Sequence, residues 1–141
     1  MPCWSPNQRL KMIEAGDEWF DRETWAELAK AGLVGIALAE DVGGGGMGLV
    51  ELGQVLEAQG RTVAPLPLVP TMTAALAIDA FGSPEQRQAY LPGVADGSVV
   101  LTAALQEYLN DDVRSPNATA TRGDDGTWTV TGTKVMVEFL E

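Results

Sequence analysis

The sequence predicts an α+β chain: an all-α N-terminal helical domain over residues 1–97, then the first strands of an incomplete β domain over residues 98–141. Three observations carry that prediction. Before Gly97, apolar residues recur at the spacing of three and four that places them on one helix face. After Gly97 the chain turns to Thr- and Val-rich runs separated by polar turns. Helix-start and helix-stop residues punctuate the first part, whereas hairpin-turn chemistry is confined to the second.

Taken in order, residues 7–15 read as a short, weak helix. Asp21 stands as an N-cap, Glu23 lies in the first turn, and Trp25, Leu28 and Ala29 share one face. Gly32 sits where a left-handed residue stops that helix. The apolar run Leu33 to Leu38 leads to Glu40-Asp41 and the cluster Gly43-Gly44-Gly45-Gly46-Met47-Gly48. A second helix is expected from Leu49 to Gln59, burying Leu49, Leu52, Val55 and Leu56 and ending at Gly60. Pro65-Leu66-Pro67 is a connector, and Thr71 to Phe81 a buried, alanine-rich helix stopped by Gly82. Ser83-Pro84-Glu85 opens another helix, with a cap oxygen, a proline at the first helical position and an acid near the positive end of the dipole. Three strands follow: Val99 to Leu105, Ala118 to Arg122 and Thr127 to Val137. Gly123-Asp124-Asp125-Gly126 joins the last two as a hairpin. In the third, threonines alternate with Trp128, Val130 and Gly132, giving one polar and one largely apolar face. So few strands cannot close a sheet or cover both its faces.

Composition narrows the function. The 141 residues include no histidine, one cysteine, and 9 basic against 20 acidic side chains, a net charge of −11. Without histidine there is no Ser-His-Asp or Cys-His nucleophile system and no imidazole-based zinc or haem site. Cys3 alone forms neither an internal disulfide nor a Cys-x-x-Cys pair. Nucleic acid is not an expected partner, because neutralising phosphates takes clustered Lys and Arg. The start, MPCWSPNQR, lacks the apolar core of a secretory signal. The longest apolar stretch, Val63 to Phe81, carries Pro65, Pro67, Pro70 and Asp79, so no membrane span is expected and the chain reads as cytoplasmic.

Candidate sites are few. Gly43, Gly45 and Gly48 satisfy G-x-G-x-x-G between an apolar run and a helix, the arrangement that cradles a dinucleotide pyrophosphate. That fingerprint also needs an acid some way downstream and a second parallel strand. No Asp or Glu lies between Ala58 and Ile78, and prolines 65, 67 and 70 occupy the place of the strand. The competing reading is a tight loop that lets two helices pack closely. Glu51 and Glu57 point to different helix faces, so they make no carboxylate pair; Glu51 is expected in solvent, and Glu57 partly buried and paired with Arg61. Asp111-Asp112 lacks the further oxygens of a metal site, and none is expected. Asn117-Ala118-Thr119, a glycosylation sequon, is not read as a site without a secretion signal.

The order of these signals resembles the acyl-CoA dehydrogenase family. The likeness runs through Trp25, Ala31-Gly32-Leu33, Gly35-Ile36, Glu40-Asp41-Val42-Gly43-Gly44, Glu57 and Gly60-Arg61. It continues with Tyr90-Leu91-Pro92, Leu101-Thr102-Ala103-Ala104-Leu105, Glu107 and Trp128-Thr129-Val130-Thr131-Gly132-Thr133-Lys134, spanning Arg9 to Val137. The resemblance implies a helical domain, a central β domain and a C-terminal four-helix domain, with FAD bound between two subunits. It implies removal of the α-proton of an acyl-CoA thioester by a C-terminal glutamate as the β-hydride passes to flavin, leaving a trans-2-enoyl-CoA. That base falls outside these residues, so no catalytic residue is expected among them.

The same resemblance places Leu105, Gln106, Glu107, Met136, Val137 and Glu138 beside the flavin. Here the chain departs from the pattern. Where the family reads Thr/Ser-Glu-Pro-Gly-x-Gly-Ser-Asp, this sequence reads Gln106-Glu107-Tyr108-Leu109-Asn110-Asp111-Asp112-Val113, and Trp-Ile-Thr/Ser becomes Met136-Val137-Glu138. Two readings follow. One is part of a FAD-dependent dehydrogenase acting on a fatty or sterol side-chain thioester, in a homo- or hetero-oligomer with a dehydrogenase subunit. The other is a non-catalytic structural subunit of a heteromeric dehydrogenase, or an inactive fragment.

Overall fold

The computed structural model describes residues 20–139 together with Gln8, Lys11, Glu14 and Ala15. Most of the weak helix expected over residues 7–15, and Cys3, therefore lie outside the described residues. Two compact units divide between Leu101 and Thr102. The first holds α1 (Arg22–Lys30), a 3-10 turn (Glu40–Val42), α2 (Leu49–Thr62), α3 (Leu68–Phe81) and α4 (Pro84–Ala95). The second holds an antiparallel hairpin, β1 (Thr119–Arg122) and β2 (Trp128–Thr131).

Local chemistry sets the helix ends. Asp21 Oδ1 accepts from the Thr24 amide at 2.9 Å and starts α1. Its end is a Schellman closure: Gly32 (φ +73°) donates to Ala29 O at 2.8 Å and Leu33 to Leu28 O at 2.9 Å. Trp25 anchors the helix, buried and donating from Nε1 to Gly97 O at 2.8 Å. A side chain at Gly97, itself at φ +78°, would collide with that of Ala29. On α4 the Ser83 hydroxyl accepts from the Gln86 amide at 3.3 Å and Gln86 Oε1 accepts from the Ser83 amide at 2.8 Å. Val34, Leu38, Leu68, Met72, Leu91 and Val94 fill the core beneath. Arg87 of α4 ties the 3-10 turn to α3, bidentate to Asp41 at 3.1 Å and bonded to Asp79 at 2.8 Å.

Several elements differ from the expectation. The second helix does not stop at Gly60 but runs to Thr62 and turns at Val63 (φ +48°). A glycine inside a helix costs about 1 kcal/mol without breaking it. Here the end is set later, where Gln59 Nε2 bonds the carbonyls of Ala64 (3.1 Å) and Leu66 (2.9 Å). Leu49, expected in the core, is 69% exposed at the first position of α2. Glu57 does pair with Arg61, at 2.7 Å, but in solvent. The third helix begins at Leu68, because Pro70 falls in the first turn, where no amide donor is required.

Val99 to Leu105, which begins in the first unit and ends in the second, takes no place in a ladder among the described residues. The Val99 amide goes to Gly93 O at 2.9 Å instead. The hairpin forms as expected, with Gly126 at φ +82° and the Gly123 amide on Thr127 O at 2.8 Å. Its register pairs Thr119 with Thr131 and Arg122 with Trp128. The third strand is shorter than Thr127 to Val137: pairing stops at Thr131, because the amides of Asn117 and Ala118, just before β1, bond to a carboxylate.

The glycine run gives a test of this packing. A Cβ on Gly44 would overlap the Leu38 carbonyl, whereas one on Gly53, in the exposed middle of α2, would meet nothing within 4 Å. Gly44→Ala is expected to destabilise the protein by about 1–3 kcal/mol. Gly53→Ala is expected to stabilise it by about 0.5–1 kcal/mol. Urea unfolding of the two variants reads the opposite signs directly.

Candidate functional site

Glu107 is the one buried acid among the described residues, 8% exposed. Its Oε1 accepts from Lys134 Nζ at 2.8 Å and from the Ala118 amide at 2.9 Å. Oε2 accepts from the Asn117 amide at 2.6 Å and weakly from Asn110 Nδ2 at 3.4 Å. The Lys134 ammonium, then the amides of Ala118 and Asn117, hold this carboxyl at about 2, well below the usual carboxylate range. Beside it the Val135 amide donates to Gln106 O at 3.0 Å, and Lys134 Nζ also reaches Leu105 O at 3.4 Å. The segments 105–107 and 134–135 are thereby held side by side.

That pairing gathers the residues singled out from the sequence, though with different availability. Leu105 is half exposed; its amide bonds Ala103 O at 3.1 Å and its carbonyl faces Lys134. Gln106 has an exposed side chain and an occupied carbonyl. Met136 (φ +52°) is 83% exposed, Val137 half-buried and Glu138 exposed. Where the family pattern has Pro-Gly, Tyr108 and Leu109 form an exposed turn tip with Leu109 at φ +58°, closed by the Asn110 amide on Glu107 O at 3.3 Å. The FAD that the resemblance implies would lie beside Leu105, Gln106 and Met136, which are exposed, and Val137, which is half-buried. The Leu105 and Gln106 carbonyls already accept from Lys134 and from the Val135 amide. Glu138 is the discordant group, a carboxylate disfavouring the anionic reduced ring.

The glycine loop is not a phosphate cradle. Its amides are consumed by the chain: Gly43 on Glu40 O, Gly44 on Ala39 O, Gly45 on Gly35 O, Gly46 on Leu38 O and Met47 on Ile36 O, all at 2.8–3.0 Å. Gly48 donates to Glu51 Oε2 at 3.0 Å, which makes Glu51 a helix cap. A pyrophosphate would find no donor there. Two features escaped the sequence reading. Lys134 lies 27 residues from Glu107, and only the opposite charges hinted at the pair. An apolar cavity of about 610 Å³ opens between α1, α2 and the preceding loop, lined in part by Leu28, Leu33, Ile36, Met47, Val55 and Leu66.

The lowered pKa of Glu107 makes a prediction with a definite sign. Its contribution to stability is complete above the ordinary glutamate value of about 4.3. It is lost as the pH falls from there through about 2. Protection of the Ala118 amide, its exchange measured against the intrinsic rate at each pH, is expected to fall over that window, and Glu107→Gln to show the low protection already at pH 7.

Comparison with known proteins agrees with this picture. The model of the acyl-CoA dehydrogenase N-terminal domain matches residues 7–98. The acyl-CoA dehydrogenase FadE12 of Mycobacterium tuberculosis is 34% identical over 84% of this chain and 31% of its own length. Among solved structures, the Tcur3481-Tcur3483 steroid ACAD G363A variant is 52% identical, with a TM-score of 0.85, over 92% of this chain and 36% of that one. The ChsE4-ChsE5 complex from Mycobacterium tuberculosis is 31% identical, with a TM-score of 0.81, over 94% of this chain and 35% of that one. A Bacillus anthracis acyl-CoA dehydrogenase complexed with FAD is 28% identical, with a TM-score of 0.74, over 92% of this chain and 23% of that one. The chain thus spans about a third of the length of FadE12 and of the first two structures. With its four helices leading into a β-hairpin, and the N-terminal domain matched over residues 7–98, this chain belongs to the acyl-CoA dehydrogenase family.

Proposed function

We propose that this chain is the N-terminal part of a FAD-dependent acyl-CoA dehydrogenase that oxidises an acyl-CoA thioester to the trans-2-enoyl-CoA, the acyl group being a lipid or sterol side chain. The observation that carries the reading is the family match over residues 7–98. The sterol alternative draws on the 52% identity to a protein described as a steroid ACAD. In this reading residues 1–97 form one wall of the acyl pocket, and residues 98–141 begin the β domain that covers one side of the flavin. FAD, when bound, supplies the hydride acceptor. The base lies outside these residues, and the enzyme works in the cytoplasm as a homo- or hetero-oligomer.

A second reading, a non-catalytic subunit of a heteromeric dehydrogenase, is favoured by one observation. Glu138, where the family pattern has a hydroxyl, adds a charge unsuited to reduced flavin. The ChsE4-ChsE5 structure is a complex of two chains, which supports looking for such a partner. On either reading FAD is completed by another subunit rather than by this chain alone.

Size exclusion of tagged protein from its own host, followed at the flavin absorption band, tests this. Co-elution with a dehydrogenase chain in a yellow peak is expected; a colourless, solitary peak would overturn the proposal. In that yellow complex Glu138→Thr is expected to raise the flavin midpoint potential in a reductive titration, because it removes the carboxylate and restores a hydroxyl.

A further inference from the structure

We propose that Glu107 is a positioning residue of the flavin edge: by holding Lys134 and the amides of Asn117 and Ala118, it fixes Leu105-Gln106 against the segment leading into Met136-Glu138. The inference rests on the reading above, that these two segments flank FAD. The resemblance alone makes Glu107 a cofactor contact, whereas its carboxylate is taken up by groups of this chain. Lys134 and Ala118 occupy Oε1, Asn117 and Asn110 face Oε2, and the side chain is 8% exposed. A carboxylate so enclosed acts through the groups it holds.

Those groups lead directly to the edge. Beyond Thr131 the chain leaves the ladder. It is tied back to 105–107 at Lys134, through Glu107 and Leu105 O, and at Val135, through Gln106 O at 3.0 Å. Met136 follows immediately, in the left-handed region at φ +52°. Releasing the ammonium from Glu107 frees the residue on which the direction of Met136-Val137-Glu138 depends. On the other side, Gln106 and Leu105 precede Glu107 without a break, so one side chain sets the separation of both segments.

The test compares the native complex, isolated from its host, with E107Q, K134M and K134R forms. Hydrogen exchange at the Val135 amide reads the frame, and the flavin absorption band and midpoint potential read the edge. E107Q and K134M are expected to speed Val135 exchange by about tenfold and to shift band and potential. K134R, which keeps a cationic donor, should restore all three. If Val135 exchange is unmoved, the frame does not depend on Glu107 and the proposal fails. If exchange rises but band and potential stay at wild-type values, Glu107 is only structural and the proposal fails equally. A colourless wild-type complex sinks the flavin reading and this inference with it, a result distinguishable because it appears before any variant is made.

Discussion

The second unit depends on a carboxylate largely enclosed by its own hydrogen-bond partners. Both faces of the β1–β2 hairpin are exposed, including Trp128 and Val130. Apolar burial therefore does little for it. Glu107 takes that place: an ion in a confined site is tolerable only if its oxygens are hydrogen-bonded and its charge is met. Lys134 and the Asn117 and Ala118 amides supply both conditions from two stretches of chain distant in sequence. Removing one partner leaves the others desolvated and unpaired, which is why such a node resists piecemeal change. The first unit is built the other way, on Val34, Leu38, Leu68, Met72, Leu91 and Val94, with polar links such as Arg87 to Asp41 and Asp79 at its margin.

What could be read from the sequence was what forms within a few residues. The Asp21 and Ser83 caps, the Gly32 stop and the Gly123–Gly126 turn each involve groups three to five positions apart. Their chemistry is visible in a short window. Gly60 shows the limit of that window. Nothing local distinguishes a stop from a tolerated interior glycine, and the outcome was decided by Gln59 reaching over to the connector. Val99 to Leu105 was misread for a related reason: strand propensity expresses itself only against a ladder partner. The pairs Glu107–Lys134 and Arg87–Asp41, 27 and 46 residues apart, left no trace beyond complementary charge.

The glycine cluster separates a pattern from its physics. Spacing alone admitted a dinucleotide loop, whose defining property is a set of amides pointing at nothing in the protein. In this chain the amides of Gly43 to Met47 bond the carbonyls of Gly35 to Glu40. Gly44 and Gly45 lie so close to Leu38 and Ile36 that a side chain would strike the backbone. The glycines serve approach between two stretches of chain. An accounting of donors, rather than a match of letters, decides between the two.

The same accounting explains how family membership coexists with an altered sequence around Glu107. Around Glu107 the positions that differ from the family pattern include Tyr108 and Leu109, at the tip of an exposed turn. Replacing glycine there costs about 1–2 kcal/mol for a side chain in the left-handed region, as at Leu109 with φ +58°. That is a local penalty, and no buried group loses its partner. Glu107 itself cannot drift so cheaply, because two backbone amides and an ammonium would be left without an acceptor. The frame and the contacts it presents thus vary independently. The scaffold is kept by the enclosed carboxylate and its partners, while the exposed turn beside it is free to change.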